Sequence, residues 1–581
     1  MNGGPSPFRL RERRRPGDVA PSAFPPPVEP AREFVGAPTD PPEERIEVGV
    51  AVVGGGVAGL ACAIHLLQLA GRDPALAERL GDVPVAVLEK GAFPGAHGLS
   101  GAVLDPVSLR DLVPEGGWPH FGAVPGDAVH LLLDERRSVR LRPVPPPFRN
   151  RGNVVVSVAE LTRWLAERAE EAGAYLLPET VGAKLLVRDG DVLGVRSGDR
   201  GRGRDGKPLA TFEPGSDVVA RATVLAEGCW GHLTGAAIEA LDLGRGADPQ
   251  VWALGVKEVW EVERPLDRVV HTVGWPLRPQ ARFREFGGSW LYPMRRDGEP
   301  HRVSLGHVVG LDYADPGLSP HDLLQELKLH PLVREVLRGG RRVAWGAKAI
   351  PEGGFWALPR LHAPGLVLCG DAAGMVNVPK LKGLHYAIRS GMLAAQTLAR
   401  QLPAGSRDLS DYERAVRGSE IGRDLYASRN TKQAFSRGLV VGGAIAGAMV
   451  LTGGRFPGGH WRTHRDADAP LLAGGRTAGG ARPDGALTFD KLSSVYLTGN
   501  EGRDDAPDHL RVQRAVPREL ARAWAALCPA AVYEVPEETR PDGRVDLAVH
   551  PANCVQCGAI TAKGGRLTPP EGGAGPRYRL L

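Results

Sequence analysis

Cysteine is scarce. Cys62, Cys229, Cys369, Cys528, Cys554 and Cys557 are six residues in a chain of 581, too few for a disulfide framework. Three of them fall in the last 54 positions, so the expectation is a reducing compartment with a C-terminal metal site. Lysine is short as well, 11 of 72 basic residues, a bias that reads as codon composition beside abundant Ala, Gly, Pro and Arg. Concentrated charge is also missing: a net charge of +5 spread over the whole length excludes the dense cationic stripe of a nucleic-acid binder. Residues 1–46 hold prolines and charges but no apolar h-region of roughly 7–15 residues, so they read as a disordered tail and not as a secretory signal. Their RLRERRR patch is the one feature of an organellar transit peptide.

What is present is globular. Hydrophobic residues at 42% and charged residues at 24% exclude whole-chain disorder and a polytopic membrane bundle. The length predicts roughly three or four domains. From Val48 the run VGVAVVGGGVAGLACAIHLLQLAG reads as strand, glycine turn and helix. A second strand, VPVAVLEK, follows, and the same βαβ grammar recurs at ATVLAEG and GLVLCGDAAG. One α/β domain is therefore assembled from scattered segments. Between them RVVHTVGWPL, SWLYPM and RVSLGHVVGL predict a mostly antiparallel insert.

Gly54, Gly56 and Gly59 form G-x-G-x-x-G at the strand-to-helix turn. The first glycine permits the turn, the second lets a pyrophosphate approach the backbone, and the third lets helix and strand pack closely. The next strand ends in Glu89, whose carboxylate suits an adenosine ribose hydroxyl. It lies 30 residues past Gly59, so the connection must be extended, and GRDPALAERLGD supplies the extra length. Gly370 and Asp371 close a returning strand ahead of a helix starting near Gly383. Such an Asp holds the ribityl chain in flavoproteins of the glutathione-reductase type, and the helix N-terminus favours negative charge on a reduced flavin. The pair of segments selects FAD over NAD.

Cys528-Pro529 and Cys554-x-x-Cys557 present soft thiolates in a ferredoxin-like arrangement. A four-iron cluster needs a further cysteine, and the next position in that spacing is Ile560. Three thiolates leave a three-iron cluster, a four-iron cluster with a non-protein or oxygen ligand, zinc completed by His550, or a degenerate site as alternatives. Residues 438–454 carry no charge over 17 positions. As a helix they reach roughly 26 Å, short of the ~30 Å hydrocarbon core. With Phe456, Trp461, Arg462, His464 and Arg465 following, the segment fits either one leaflet of a bilayer or a buried core helix.

The ordered series VVGGGVAGLACAIHLLQLA, LEKGAFPGAHGLSGAVLDP, AEGCWGHLT, DRVVHTVGWPL, GGSWLYPM, VVGLDYADPGLSP, GDAAGMVNVPKLKGLHYAIRSG, DKLSSVYLTGN, DAPDHL, CPAAVYE, NCVQC and PEGGAGPRY resembles the electron transfer flavoprotein–ubiquinone oxidoreductase family. The likeness runs from about 47 to 581. It implies that Gly54, Gly56, Gly59, Glu89, Ser100, Gly101, Gly370, Asp371 and Gly383 serve FAD. Gly287 and Gly288 would offer backbone groups to a quinone head, and residues 439–451 would form a monotopic membrane surface. Cys528, Cys554 and Cys557 would be iron–sulfur ligands with Tyr533 nearby. The family pattern is C-x-x-C-x-x-C, and Ile560 stands at its third cysteine.

The expected architecture is α/β plus α+β and multidomain. Beyond the tail it has a glutathione-reductase-type, Rossmann-like FAD-binding domain over 47–248 that returns over 346–425. An antiparallel quinone-binding domain is inserted over 249–345. A membrane-associated segment covers 426–465, a linker 466–487, and a C-terminal ferredoxin-like module 488–581. The implied activity passes electrons from reduced electron-transfer flavoprotein through FAD to a membrane quinone. FAD suits it because it exchanges one or two electrons, and no acid–base catalytic residue is named. The expected location is the cytoplasmic face of a bacterial inner membrane, with the matrix face of the mitochondrial inner membrane as the alternative. The rival function is a geranylgeranyl-reductase-like or hydroxylase-like FAD enzyme acting on a lipid-like substrate.

Overall fold

The computed structural model describes residues 19–101, 103–472, 475–476 and 480–581. The first part of the expected tail, with its RLRERRR patch, lies outside the described residues.

The strand read from Val48 is β1 (Ile46–Val53), whose last six residues are all buried, as in a strand covered on both faces. Across Gly54, Gly55 and Gly56 the chain enters α1 (Val57–Ala70), whose first eight residues are all buried. The extra length before the next strand is a short helix, Pro74–Leu80, capped by the Asp73 carboxylate, which accepts from the amides of Ala75 and Leu76. β2 (Val85–Leu88) lies parallel to β1 with Leu88 opposite Val53. β3 (Asp217–Leu225) lies parallel on the other side with Leu225 opposite the same Val53. Tyr175–Leu177 extends this sheet beyond β2; Asp191–Ser197, Gly182–Arg188 and Val35–Gly36 extend it beyond β3.

The second sheet is built on β4 (Trp252–Glu261), β5 (Gly287–Met294), β6 (Arg302–Gly310) and β7 (Arg341–Pro351), in the spatial order β7, β4, β6, β5. It is mostly antiparallel, but it does not keep to 249–345. β7 runs on to Pro351, and Val269–Gly274, beside β5, pairs in parallel with Asp127–Leu132 from the first third of the chain, which carries Ser138–Arg140 on its other edge. The backbone groups of Val269–Gly274 need a partner on their free side. A strand distant in sequence supplies it, which no local pattern announces.

The chain then returns to the first sheet. β8 (Leu366–Leu368) lies parallel to β3 with Leu368 opposite Leu225. A 3-10 turn over Gly370–Ala373 leads to α2 (Leu384–Gln401). A side chain on Gly391 of α2 would collide with the Ala58 carbonyl of α1, so the two helices cross backbone against backbone. β1, β2, β3 and β8 thus end at one level, and Gly54, Glu89, Ala226 and Cys369 sit side by side at their carboxyl ends, where open α/β sheets place their ligands.

Beyond α2, α3 (Thr431–Phe435) leads into α4 (Leu439–Leu451), followed in the C-terminal part by α5 (Arg518–Leu527). Leu520, Trp524 and Ile560 share one core with Trp260 and Trp345 of the second sheet, so the C-terminal residues are packed onto that sheet. Two expected connectors are packed as well. Within the predicted tail, Val19 bridges Leu471, Val35–Gly36 pairs with Gly182–Arg188, and the Pro25 carbonyl accepts from Gln513 Nε2. Within the predicted linker, the Asp466 carboxylate accepts the Trp252 amide at 2.9 Å, and Arg476 donates to the Pro276 carbonyl at 2.7 Å. Their Pro, Gly and Ala content hid a few long-range anchors that hold each segment.

Candidate redox cavity

A cavity of about 340 Å³ opens at the shared carboxyl edge of β1, β2, β3 and β8. The three glycines of the first turn meet it differently. Side chains on Gly54 or Gly59 would collide with the Ala226 and Gly54 carbonyls respectively, so both are glycine for the sake of packing. A side chain on Gly56 would meet nothing within 4 Å. Gly56 is also the N-cap of α1 and offers no capping side chain, so the first amides of α1 face the cavity as free donors, suited to an anion.

Glu89 closes the turn from β2. Its carboxylate accepts the amides of Gly55 at 2.9 Å and Gly91 at 2.6 Å. Each oxygen keeps a lone pair for a ligand hydroxyl. Burial pushes its pKa up, against the pull of those amides. Asp371 lines the cavity from the 3-10 turn, and burial raises its pKa to about 6, moderated by Lys348. Gly383 lines it as the uncapped N-cap of α2. Gly101 lies against the Tyr292 ring, and the buried Ser100 hydroxyl has no partner while its carbonyl accepts Lys257 Nζ at 3.0 Å. Gly59 and Gly370 stand behind the wall, the first under β1 and the second with its amide on Ser390 Oγ at 3.0 Å.

Sequence reasoning missed the charges and the second-sheet wall. Lys90, Lys348 and Lys382 all line the cavity. Burial, with repulsion from Lys348, lowers the Lys90 pKa to about 8, and burial lowers Lys382 to about 8 as well. Lys90 follows Glu89 directly and was open to notice; Lys348 comes from β7, far away in sequence. Trp290 and Tyr292 of β5 and Val308 of β6 form the opposite wall. The structure does not bring Gly287 and Gly288 into that wall: side chains there would run into the Val308 and Thr272 carbonyls, so their absence serves close strand pairing. Gly288 is paired with Val308, which does face the cavity.

The open space at Gly56, two uncapped helix starts, the orphan Ser100 hydroxyl and three lysines fit a large phosphate-bearing cofactor. The cysteines fit less completely. Cys528 accepts the Val532 amide at 3.5 Å and Cys554 the Gln556 amide at 3.4 Å; burial raises the pKa of all three thiols, neighbouring thiols add to the rise at Cys554 and Cys557, and Lys491 opposes it at Cys528. Tyr533 feels all three. Ile560, buried in the core, takes the position of a fourth thiol. Among the described residues no group of three or more His, Cys, Asp or Glu is arranged to hold a metal ion. A four-thiolate set is therefore not present, and no electron step is assigned through it. Gln556 and Cys229 line the cavity on the side facing the cysteines.

Residues 252–350 match the model of the ETF-QO ubiquinone-binding domain, and residues 485–579 that of the electron transfer flavoprotein-ubiquinone oxidoreductase 4Fe-4S domain. The mitochondrial electron transfer flavoprotein-ubiquinone oxidoreductase of Caenorhabditis elegans is 36% identical, over 91% of this chain and 91% of its own length. The human protein of that name is 37% identical, over 92% of this chain and 89% of its own. The chain belongs to the electron transfer flavoprotein–ubiquinone oxidoreductase family. Among solved structures, a geranylgeranyl bacteriochlorophyll reductase-like protein from Thermoplasma acidophilum superposes with a TM-score of 0.53 at 17% identity, covering 70% of this chain and 96% of that one. At that identity the likeness concerns the fold alone.

Proposed function

We propose that this oxidoreductase takes electrons from a reduced electron-transfer flavoprotein and delivers them in pairs to a membrane quinone. One observation carries the reading: the phosphate-suited edge of the first sheet and the Trp290, Tyr292 and Val308 wall of the ubiquinone-binding region enclose the same cavity. FAD bound there supplies both one-electron and two-electron exchange, matching such a donor to such an acceptor. Gly56 and the free amides of α1 bind its pyrophosphate, Glu89 its adenosine ribose, and Asp371 its ribityl chain, with Ser100, Gly101 and Gly383 around the ring. The lysines hold negative charge in place. Gly287 and Gly288 stand outside this wall, and Val308, paired with Gly288, meets the quinone head in their place. The cysteine-bearing module packs on the second sheet, and no electron step is assigned to its three thiols.

The membrane reading rests on α4. All thirteen of its residues are apolar or glycine, yet only Gly442 and Met449 are buried. Val440 and Leu451 are 80% and 85% exposed, which a core helix would not be. At about 20 Å it is too short to span, and among the described residues no helix is long and apolar enough to cross a membrane. It suits a helix lying in one leaflet of a quinone-bearing membrane, on the cytoplasmic face of a bacterial inner membrane or on the matrix face in a mitochondrion. A lipid-reducing flavoenzyme would leave the module at 485–579 without a use.

Purified protein should be yellow and, supplied with reduced electron-transfer flavoprotein, should reduce a short-chain ubiquinone. Activity confined to an isoprenoid alkene, or to NADPH with oxygen, would overturn the reading.

A further inference from the structure

Quinone reduction consumes two protons as well as two electrons, and nothing assigned so far delivers them. Resting on the function proposed above, we propose that Glu352 donates protons to the quinone and is recharged through a small polar cavity behind it.

Glu352 follows directly on β7, held there by its amide, which donates to the Val251 carbonyl at 2.7 Å. Glu352 is 5% exposed and lines two cavities: the redox cavity, and a smaller one whose wall includes Ser428, Arg429, Thr431, Lys432 and Gln433. Its Oε2 accepts no hydrogen bond, the Lys432 ammonium standing off at 3.6 Å, and Oε1 and Nε2 of Gln433, also buried, have no partner. Three unsatisfied buried polar atoms around one small space call for a cause. The space measures about 10 Å³, room for about one water, which could satisfy all three. Glu352 thus has the redox cavity on one side and a place for a proton carrier on the other.

The surrounding charges leave Glu352 able to hold a proton. Lys432 of α3 faces it at 3.6 Å but lies closer to Asp312, at 2.9 Å. Asp466 competes for the same ammonium from behind. Arg429, on the small cavity's wall, is committed to the carbonyls of Tyr426 and Gly454. Asp371, Lys348 and Lys382 share the redox cavity's wall with it, as do Glu89, Lys90, Glu227, His97 and His232. Burial therefore dominates, and the Glu352 pKa rises to about 7. Lys432 is stabilised as a cation and Asp312 as an anion by their pairing.

In the step itself the quinone takes up two electrons, the exchange that a bound flavin would supply. An O–H bond forms at a quinone oxygen as the Glu352 O–H bond breaks. The carboxylate takes a proton from water on Gln433, which takes one from solvent, and the second quinone oxygen is served by a repeat of the route.

The test compares two acceptors in flavin-loaded protein driven by reduced electron-transfer flavoprotein: a short-chain ubiquinone, and ferricenium, which accepts an electron without a proton. Glu352→Gln should lower quinone reduction about 100-fold and leave ferricenium reduction within about 2-fold. Glu352→Asp should recover part of the loss. Wild-type quinone turnover should fall as pH rises through about 7, and the slope should vanish in Glu352→Gln. Equal rates in wild type and Glu352→Gln, or equal losses with both acceptors, would overturn the proposal. Wild type inactive with every quinone would overturn the function instead. Should Glu352→Gln lose its flavin, infrared difference spectra of the wild type decide: a carboxylic-acid carbonyl band that changes on quinone reduction and shifts in heavy water supports the donor, and its absence sinks it.

Discussion

Ile560 lies so close to Gly565 that a Cβ on the glycine would stand 2.6 Å from Ile560 Cγ1. The isoleucine is 6% exposed and belongs to the core that includes Trp524 and Val512. The position of the expected cysteine is thus a packed apolar contact. Four-iron clusters are held by four thiolates, so protein isolated anaerobically should carry fewer than about four irons per flavin. Ile560→Cys should raise iron and sulfide content while costing about 1–3 kcal/mol of stability from lost packing. Elemental analysis with low-temperature electron paramagnetic resonance checks both forms. A full four-iron signal from the wild type would show that another ligand has replaced the cysteine.

The glycines of the first turn should separate folding from binding. Gly59→Ala forces a methyl into the Gly54 carbonyl and Val52, and should cost several kcal/mol or prevent folding. Gly56→Ala meets only open space, at a backbone conformation open to any residue. Its flavin-free stability should stay within about 0.5 kcal/mol of wild type, while flavin affinity falls at least about 10-fold because the methyl occupies the pyrophosphate's approach. Thermal unfolding and flavin titration read the two effects. Equal flavin affinity in Gly56→Ala would remove Gly56 from the site.

How far the sequence spoke depended on how local each signal was. β1, the glycine turn, α1 and Glu89 lie within one short stretch, where period and turn chemistry are readable side by side. The parallel pairing of Val269–Gly274 with Asp127–Leu132 has no local signature, since either strand would look the same beside another partner. Residues 19–46 were hidden by composition: prolines and charges signal disorder, yet Phe24 packs on the second core and Phe34 sits edge-on to His232 at 5.2 Å. Lys348 and Glu352 escaped notice because β7 gives no sign of which residues meet a cavity shared with β1. Only the closure of two sheets on one space makes them neighbours of Asp371.

Asp371 should make the flavin-free protein less stable at neutral pH than at mildly acid pH. Burial raises its pKa from 3.8 to about 6, so between those values the native state holds a proton that the unfolded chain has lost. Stability attributable to this group therefore falls as pH rises across that window and is level above it. Asp371→Asn removes the penalty and should stabilise the flavin-free protein at pH 7 by up to about 3 kcal/mol, with little change near pH 4. The same substitution should weaken flavin retention on the proposed role of Asp371 at the ribityl chain. Chemical denaturation at the two pH values checks the sign; a variant less stable than wild type at pH 7 would mean that Asp371 is ionised at no cost in the empty cavity.

The ends of α4 should matter to lipid binding and not to folding. Val440 and Leu451 stand near its two ends, 80% and 85% exposed, so replacing them disturbs little packing. Val440→Asp with Leu451→Asp should change folding stability by no more than about 1 kcal/mol and leave flavin content intact. In a bilayer each aspartate would have to be desolvated at a cost of about 2.5–3.5 kcal/mol at full depth, less near the headgroups. The double variant should therefore lose vesicle co-sedimentation while still reducing a water-soluble short-chain quinone. Loss of reduction of a long-chain quinone held in vesicles, with the short-chain reaction retained, would locate the defect at the membrane. Unchanged co-sedimentation would show that another surface holds the protein to lipid.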